Sequence, residues 1–198
     1  MSKRLSCLAV VLAASVATAA LAQEPRAPRG AAGGSVGGKS VAVDYGRPAL
    51  KGRSVNELLT KLPADRMWRA GENQVTTITF AGDVMLGATK VPAGRYSVYV
   101  HAGEGNKWDL VLNKDQGIAL GKIYAAAPEN MKNEPWPHLS DYSGKIGAQE
   151  VARVPLKAAK AAAPADLFTI SFAPSGAGST MTLAWGDQAW TTDVQPAK

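Results

Sequence analysis

From Val41 onward, apolar and polar residues alternate in short bursts, the two-residue period of strands with one buried face. Val41, Val43 and Tyr45 begin the pattern. Val75 to Phe80 is rich in β-branched residues and sets Ile78 and Phe80 on one face. Asp83 to Leu86 and Ala88 to Val91 flank Gly87, which predicts a tight hairpin. Val91-Pro92-Ala93-Gly94 has the residue order of a type I turn. Tyr96, Val98 and Val100 then alternate against Ser97, Tyr99 and His101. After a turn at Gly103 to Asn106, Trp108, Leu110 and Leu112 alternate against Asp109, Val111 and Asn113. Leu167 to Phe172 is strand-like. Met181, Leu183 and Trp185 alternate, Gly186-Asp187-Gln188 reads as a turn, and Ala189 to Val194 returns as the last strand of a third hairpin.

Two segments carry helical signals. Val55 to Leu62 has Ser54 as N-cap and Pro63 just past its end, and Ala158 to Ala163 is a weaker, alanine-rich candidate. Many short strands separated by turns predict an all-β fold: a single-domain antiparallel β-sandwich or jelly-roll-like barrel with one or two short helices. One stretch, Lys114 to Gln149, has no clear period but holds Trp136, Pro137, His138 and Tyr142. Long irregular connections in small domains are usually functional or mobile.

The first residues follow a different rule. Lys3 and Arg4 precede the apolar stretch Leu5 to Ala17, and Ala20-Leu21-Ala22 supplies a small-x-small cleavage pattern. Residues 1–22 therefore read as a cleavable signal peptide cut after Ala22, which predicts a periplasmic or secreted protein. The apolar run falls short of the roughly 20 residues that a membrane-spanning helix needs, and no later segment reaches that length. The single cysteine, Cys7, lies inside this signal. Processing would leave a cysteine-free mature protein, with no disulfides, thiol nucleophiles or cysteine-ligated zinc.

Gln23 to Lys39 is rich in Pro, Gly, Ala and Arg and reads as a flexible tail, with one β-rich domain over residues 40–198. Two motif matches fall here. Gly33, Gly38, Lys39 and Ser40 satisfy the phosphate-loop pattern, and Gly33-Gly34-Ser35-Val36-Gly37 satisfies the nucleophile-elbow pattern. Both need a strand before them and a helix after them, and the surrounding residues supply neither.

Charge and chemistry narrow the functional classes. Of 22 basic residues, processing removes Lys3 and Arg4, leaving 20 against 16 acidic ones. That balance is too mild for a nucleic-acid-binding domain. Only two histidines, His101 and His138, are present, with no metal-ligand spacing around them, so neither a metal nor another cofactor is expected. His101 sits on the Ser97 and Tyr99 face of its strand, where it reads as an exposed or half-buried residue, or as a ligand contact on an open sheet face. No serine occupies a recognisable nucleophile turn, and paired carboxylates remain an unspecific option. The most informative stretch runs from Tyr45 to Thr76. It holds Arg47, Lys51, Arg53, Lys61, Arg66 and Arg69 against Glu57 and Asp65, with Tyr45 and Trp68, and then Glu72, Asn73 and Gln74. Arginine forks suit carboxylates, sulfates or phosphates. Aromatic faces suit sugars, and exposed amides orient hydroxyls. The bland alternative is a basic solvated surface with Trp68 in the core.

The same residues carry a family likeness. Tyr45-Gly46-Arg47-Pro48, Lys51-Gly52-Arg53, Trp68-Arg69-Ala70-Gly71-Glu72-Asn73, Thr76-Thr77-Ile78-Thr79-Phe80 and Pro92-Ala93-Gly94-Arg95-Tyr96-Ser97 occur in order. Trp108 with Asn113-Lys114, and Leu183-Ala184-Trp185, continue the series. Over Val41 to Val194 the chain resembles the bacterial domain-of-unknown-function family 2911. The resemblance implies a compact, β-rich, exported domain and no established activity. The family's motif has alanine and glutamate where this chain has Glu72 and Gln74. It also has a tryptophan where Gln116-Gly117 stands here. If that glutamate serves as a general base, Gln74 cannot replace it, because an amide does not take up the proton.

Taken together, the residues favour a non-catalytic binding or accessory domain for an anionic or carbohydrate-like envelope ligand. The candidate contacts are Tyr45, Arg47, Lys51, Arg53, Trp68, Arg69, Glu72, Asn73, Gln74 and His101. The alternatives are a carboxylate-based hydrolase of an extracellular polymer and a structural or partner-binding domain.

Overall fold

The computed structural model describes residues 27–138 and 140–197. The expected signal peptide over residues 1–22 lies outside the described residues. Strand β1 (Arg29–Val36) pairs antiparallel with β2 (Lys39–Gly46) across Gly37 and Gly38, and both glycines hold the positive φ that a two-residue hairpin turn requires. The flexible tail expected over 23–39 is thus corrected from Arg29 on. Composition misleads here because the small residues of β1 serve close packing. A Cβ on Gly34 would stand 3.0 Å from both the Phe172 Cβ and the Ser179 Oγ. The phosphate-loop and nucleophile-elbow matches lie within this hairpin, with no helix after them.

Helix α1 (Val55–Leu59) is shorter than the expected Val55 to Leu62 and opens on a capping box. Ser54 Oγ accepts from the Glu57 N–H at 3.2 Å, and the Glu57 carboxylate accepts from the Ser54 N–H at 2.6 Å. Ser54→Ala removes one acceptor and is expected to lower stability by about 1 kcal/mol, read as a drop in the urea midpoint at unchanged slope.

Next come β3 (Met67–Trp68), β4 (Thr77–Phe80), β5 (Val84–Leu86), β6 (Thr89–Val91), β7 (Gly94–Ala102) and β8 (Trp108–Asn113). The irregular stretch contains β9 (Ile118–Ala119), α2 (Leu120–Ile123), β10 (Pro135–Trp136) and α3 (Tyr142–Lys145). Two long strands, β11 (Glu150–Ser175) and β12 (Gly178–Pro196), close the chain. The main sheet runs β1-β2-β4-β7-β8-β11-β12-β5-β6, all antiparallel, with β3 beside β7. The predicted all-β sandwich class holds; the sheet folds over without closing into a barrel.

The fold-over happens within β11. Residues Glu150 to Leu156 pair with β8, and Lys157 to Ser175 pair with β12. One strand therefore belongs to both layers. Between the layers, Val41, Val43, Ile78, Phe80, Val98, Val100, Leu110 and Leu112 meet Met181, Leu183, Trp185, Trp190, Val194 and Leu86. Every one of these is buried.

Two expectations about the closing segment are corrected. Ala158 to Ala163 is strand: Lys157 to Lys160 pair with Thr191 to Gln188. Alanine's helix propensity is a weak prior, worth fractions of a kcal/mol per residue, and ladder hydrogen bonds outweigh it. Gly186-Asp187-Gln188 is an irregularity inside β12, where the register shifts around Ala165 and Gly186. Gly186 supplies φ +60, and a Cβ there would come within 3.1 Å of Leu50. The actual hairpin lies at Ser175 to Gly178.

The face of β7 opposite the main core is also covered. Tyr99, Val111 and Met67 form a second cluster with Tyr142 and Ile146 of the irregular stretch. Asn113, fully buried, donates from Nδ2 to the Tyr142 hydroxyl at 2.8 Å and to the Ile146 carbonyl at 2.9 Å. The Tyr142 N–H donates to Asp65 Oδ2 at 2.8 Å. This is why β7 and β8 are buried on both faces while their sequence alternates. Among the described residues no helix is long and apolar enough to cross a membrane.

Candidate ligand-binding site

Two glycines build the site's frame. At the end of β2, a Cβ on Gly46 would lie 1.9 Å from the Glu72 carbonyl oxygen. A Cβ on Gly71 would lie 2.6 Å from Thr76 Oγ1 and 3.1 Å from the Gly46 carbonyl oxygen. Only without side chains at both positions does the 69–73 segment rest directly on β2. Thr76 Oγ1 donates to the Ala70 carbonyl at 2.9 Å and holds the segment down. Along the same stretch Lys51, Arg66, Ala70 and Asn73 adopt positive φ. Non-glycine residues enter that region at a cost, and they persist where surrounding packing holds them.

This frame places Arg47, Lys51, Arg53, Glu72 and Asn73 along one wall of a cleft of about 780 Å³. Arg47 is fixed from behind: Nε donates to the Phe168 carbonyl at 3.3 Å and Nη2 to Thr169 Oγ1 at 3.2 Å. Arg53 donates from Nε to the Leu50 carbonyl at 2.8 Å and from Nη2 to the Ala49 carbonyl at 3.1 Å. Carbonyl and hydroxyl anchors orient a guanidinium without cancelling its charge. The facing wall comes from the irregular stretch, with Leu120, Ile123, Tyr124, Trp136, His138 and Lys145. The β9–β10 pair, Trp136 opposite Ile118, holds the tryptophan in place. Ile123 and Tyr124 are the exposed large apolar side chains of the described chain, 47% and 54% accessible, and both lie at this cleft. His138 Nε2 sits 3.4 Å from Asp115 Oδ1.

A second cavity of about 350 Å³ adjoins the first, and Arg53, Glu72 and His138 line both. Leu58, Leu59 and Leu62 form one side, and Trp68, Trp108, Trp185 and Trp190 the other. Trp68 stacks on Trp185 with centroids 5.4 Å apart and planes 10° from parallel, while Trp108 meets Trp190 at 4.6 Å. Arg69 also lines this cavity, with Nε donating to the Gly71 carbonyl at 3.3 Å. Burial pulls its guanidinium below the ordinary arginine value, and the charge of Glu72 opposes that pull.

Seven of the ten residues expected at the site therefore line one cavity or the other, and three do not. Tyr45 belongs to the core: its hydroxyl accepts from the Ile170 N–H at 2.9 Å, and the ring packs edge-on to Phe168. Gln74 turns to Glu134, donating from Nε2 at 3.0 Å. His101 is half-buried, pairs through Nδ1 with Asp109 Oδ2 at 3.2 Å, and lines neither cavity. Sequence reasoning singled out Trp136 and His138 without assigning them to a site, and it missed Ile123, Tyr124 and Lys145. Their only sequence signal was the loss of strand period over Lys114 to Gln149. Among the described residues no group of three or more His, Cys, Asp or Glu is arranged to hold a metal ion.

No curated protein and no solved structure matches this chain. A family model does match, over residues 27–194, so the matched region takes in the β1 hairpin as well as the frame around Gly46 and Gly71. The chain belongs to the family described as "protein of unknown function (DUF2911)".

Proposed function

We propose that this protein is an exported, non-catalytic binding domain for an anionic or carbohydrate-like envelope ligand, held in the larger cleft. The observation that carries the reading is the cleft's charge. Arg47, Arg53 and Lys145 line it against a single carboxylate, Glu72, among the described lining residues. Arginines oriented by carbonyls suit carboxylate, sulfate or phosphate groups. Tyr124 and Trp136 on the facing wall supply aromatic surface for a ring. The strained backbone of Lys51 and Asn73 supports the same place, since such strain collects at binding sites. Export rests on the charged start, apolar run and Ala20-Leu21-Ala22 of residues 1–22. A two-carboxylate hydrolase needs a facing partner for Glu72, and the described cleft residues offer none.

The test is a thermal-shift panel of uronate-bearing, sulfated and neutral glycans. Acidic compounds are expected to raise the melting temperature, and Arg47→Ala with Arg53→Ala to weaken a hit by about ten- to hundredfold per arginine. A panel in which no compound moves the transition, or a hit indifferent to both substitutions, would sink the reading.

A further inference from the structure

We propose that the two adjoining cavities hold one ligand: a single-chain amphiphile, with its anionic headgroup in the basic cleft and its aliphatic chain in the tryptophan-lined cavity. The proposal rests on the anion-binding reading of the cleft and names the ligand class. Three residues, Arg53, Glu72 and His138, line both cavities, so these polar side chains stand between the two spaces as their junction. Beyond that junction the smaller cavity is apolar on both sides, leucines from α1 and its end facing the tryptophans. Charged groups on its lining gather at the junction and at Arg69, leaving the far walls suited to hydrocarbon. Glu72 is the one carboxylate there, and Arg53 and Arg69 line the same cavity.

The tryptophan rings already engage one another. Trp68 has Trp185 stacked on it and Phe168 edge-on at 4.9 Å, and Trp108 packs on Trp190. A planar ring entering the cavity would compete for those faces. A flexible chain makes dispersion contacts with ring edges and leucine methyls and needs no free face. The volume, about 350 Å³, falls at the small end of ligand pockets, which suits one chain rather than two.

The experiment uses the full chain and its own tryptophans as the reporter. Hexanoate, octanoate, decanoate and dodecanoate are titrated below their micelle concentrations, with acetate and glucuronate as headgroups alone and dodecanol as a chain alone. Each methylene that enters the cavity is expected to tighten Kd by about fourfold. Dodecanoate brominated at its terminal carbon is expected to quench tryptophan emission where free bromide does not. Leu59→Trp, filling the cavity, is expected to flatten the chain-length dependence while glucuronate still binds. Equal affinity from hexanoate to dodecanoate, or no quenching by the brominated chain, overturns the chain placement even if glucuronate binds. Dodecanol binding as well as dodecanoate, with no response to glucuronate, overturns the anionic cleft as well. Because the wild-type series alone decides the outcome, a misfolded Leu59→Trp would not rescue the proposal.

Discussion

Gly46→Ala is expected to lower the stability of this protein by about 3 kcal/mol or more, although it adds one methyl group. The reason is that the new carbon would overlap backbone, with the Glu72 carbonyl oxygen 1.9 Å from its position and the Glu72 nitrogen 2.9 Å away. A flexible side chain could swing aside; the 69–73 segment is clamped by the Thr76 hydroxyl and by its packing on β2. Relief requires moving that segment, which carries Arg69, Glu72 and Asn73. The substitution should therefore shift the urea midpoint and weaken any cleft ligand together. A loss below about 1 kcal/mol would show that the segment yields easily and that its close approach is not a constraint.

Trp190→Ala should cost about 3–5 kcal/mol, the range for deleting a large aromatic residue from a packed interior. Trp190 is 1% exposed and sits between Trp108, 4.6 Å away, and Trp68, 6.4 Å away. Deleting it leaves a hole in the layer that joins the two sheets and removes a wall of the smaller cavity. Chemical denaturation followed by circular dichroism reads the loss. A cost under about 2 kcal/mol would mean that the neighbouring rings collapse into the space, and the cavity's walls would then be softer than their packing indicates.

How far the sequence reveals this structure depends on which interactions decide each part. Alternation identified β2, β4, β7 and β8 because a period of two is imposed by the pleat itself. Ser54 and Pro63 marked α1 because capping is local chemistry, though the helix ends at Leu59, before the proline. The failures share one cause. The glycine-rich β1, the alanine run in β11 and the Gly186 irregularity in β12 are decided by neighbours far along the chain: Phe172 for Gly34, Trp190 for Ala158, Leu50 for Gly186. Local composition carries no trace of those partners. The site divides in the same way. Its basic wall was legible because charge clusters within 30 residues or so of sequence, from Arg47 to Glu72. The facing wall was not, because Tyr124 and Lys145 join it only through a stretch without period. Tyr45 read as a ligand contact because a tyrosine beside an arginine looks the same whether its hydroxyl meets a sugar or the Ile170 backbone.

The 26 residues of β11 have a mechanical meaning for the molecule. A single covalent strand supplies an edge partner to β8 and then to β12, so neither sheet layer can melt without breaking hydrogen bonds that the other layer helps to hold. Amide exchange along β8 and β12 should accordingly report one shared opening event rather than two.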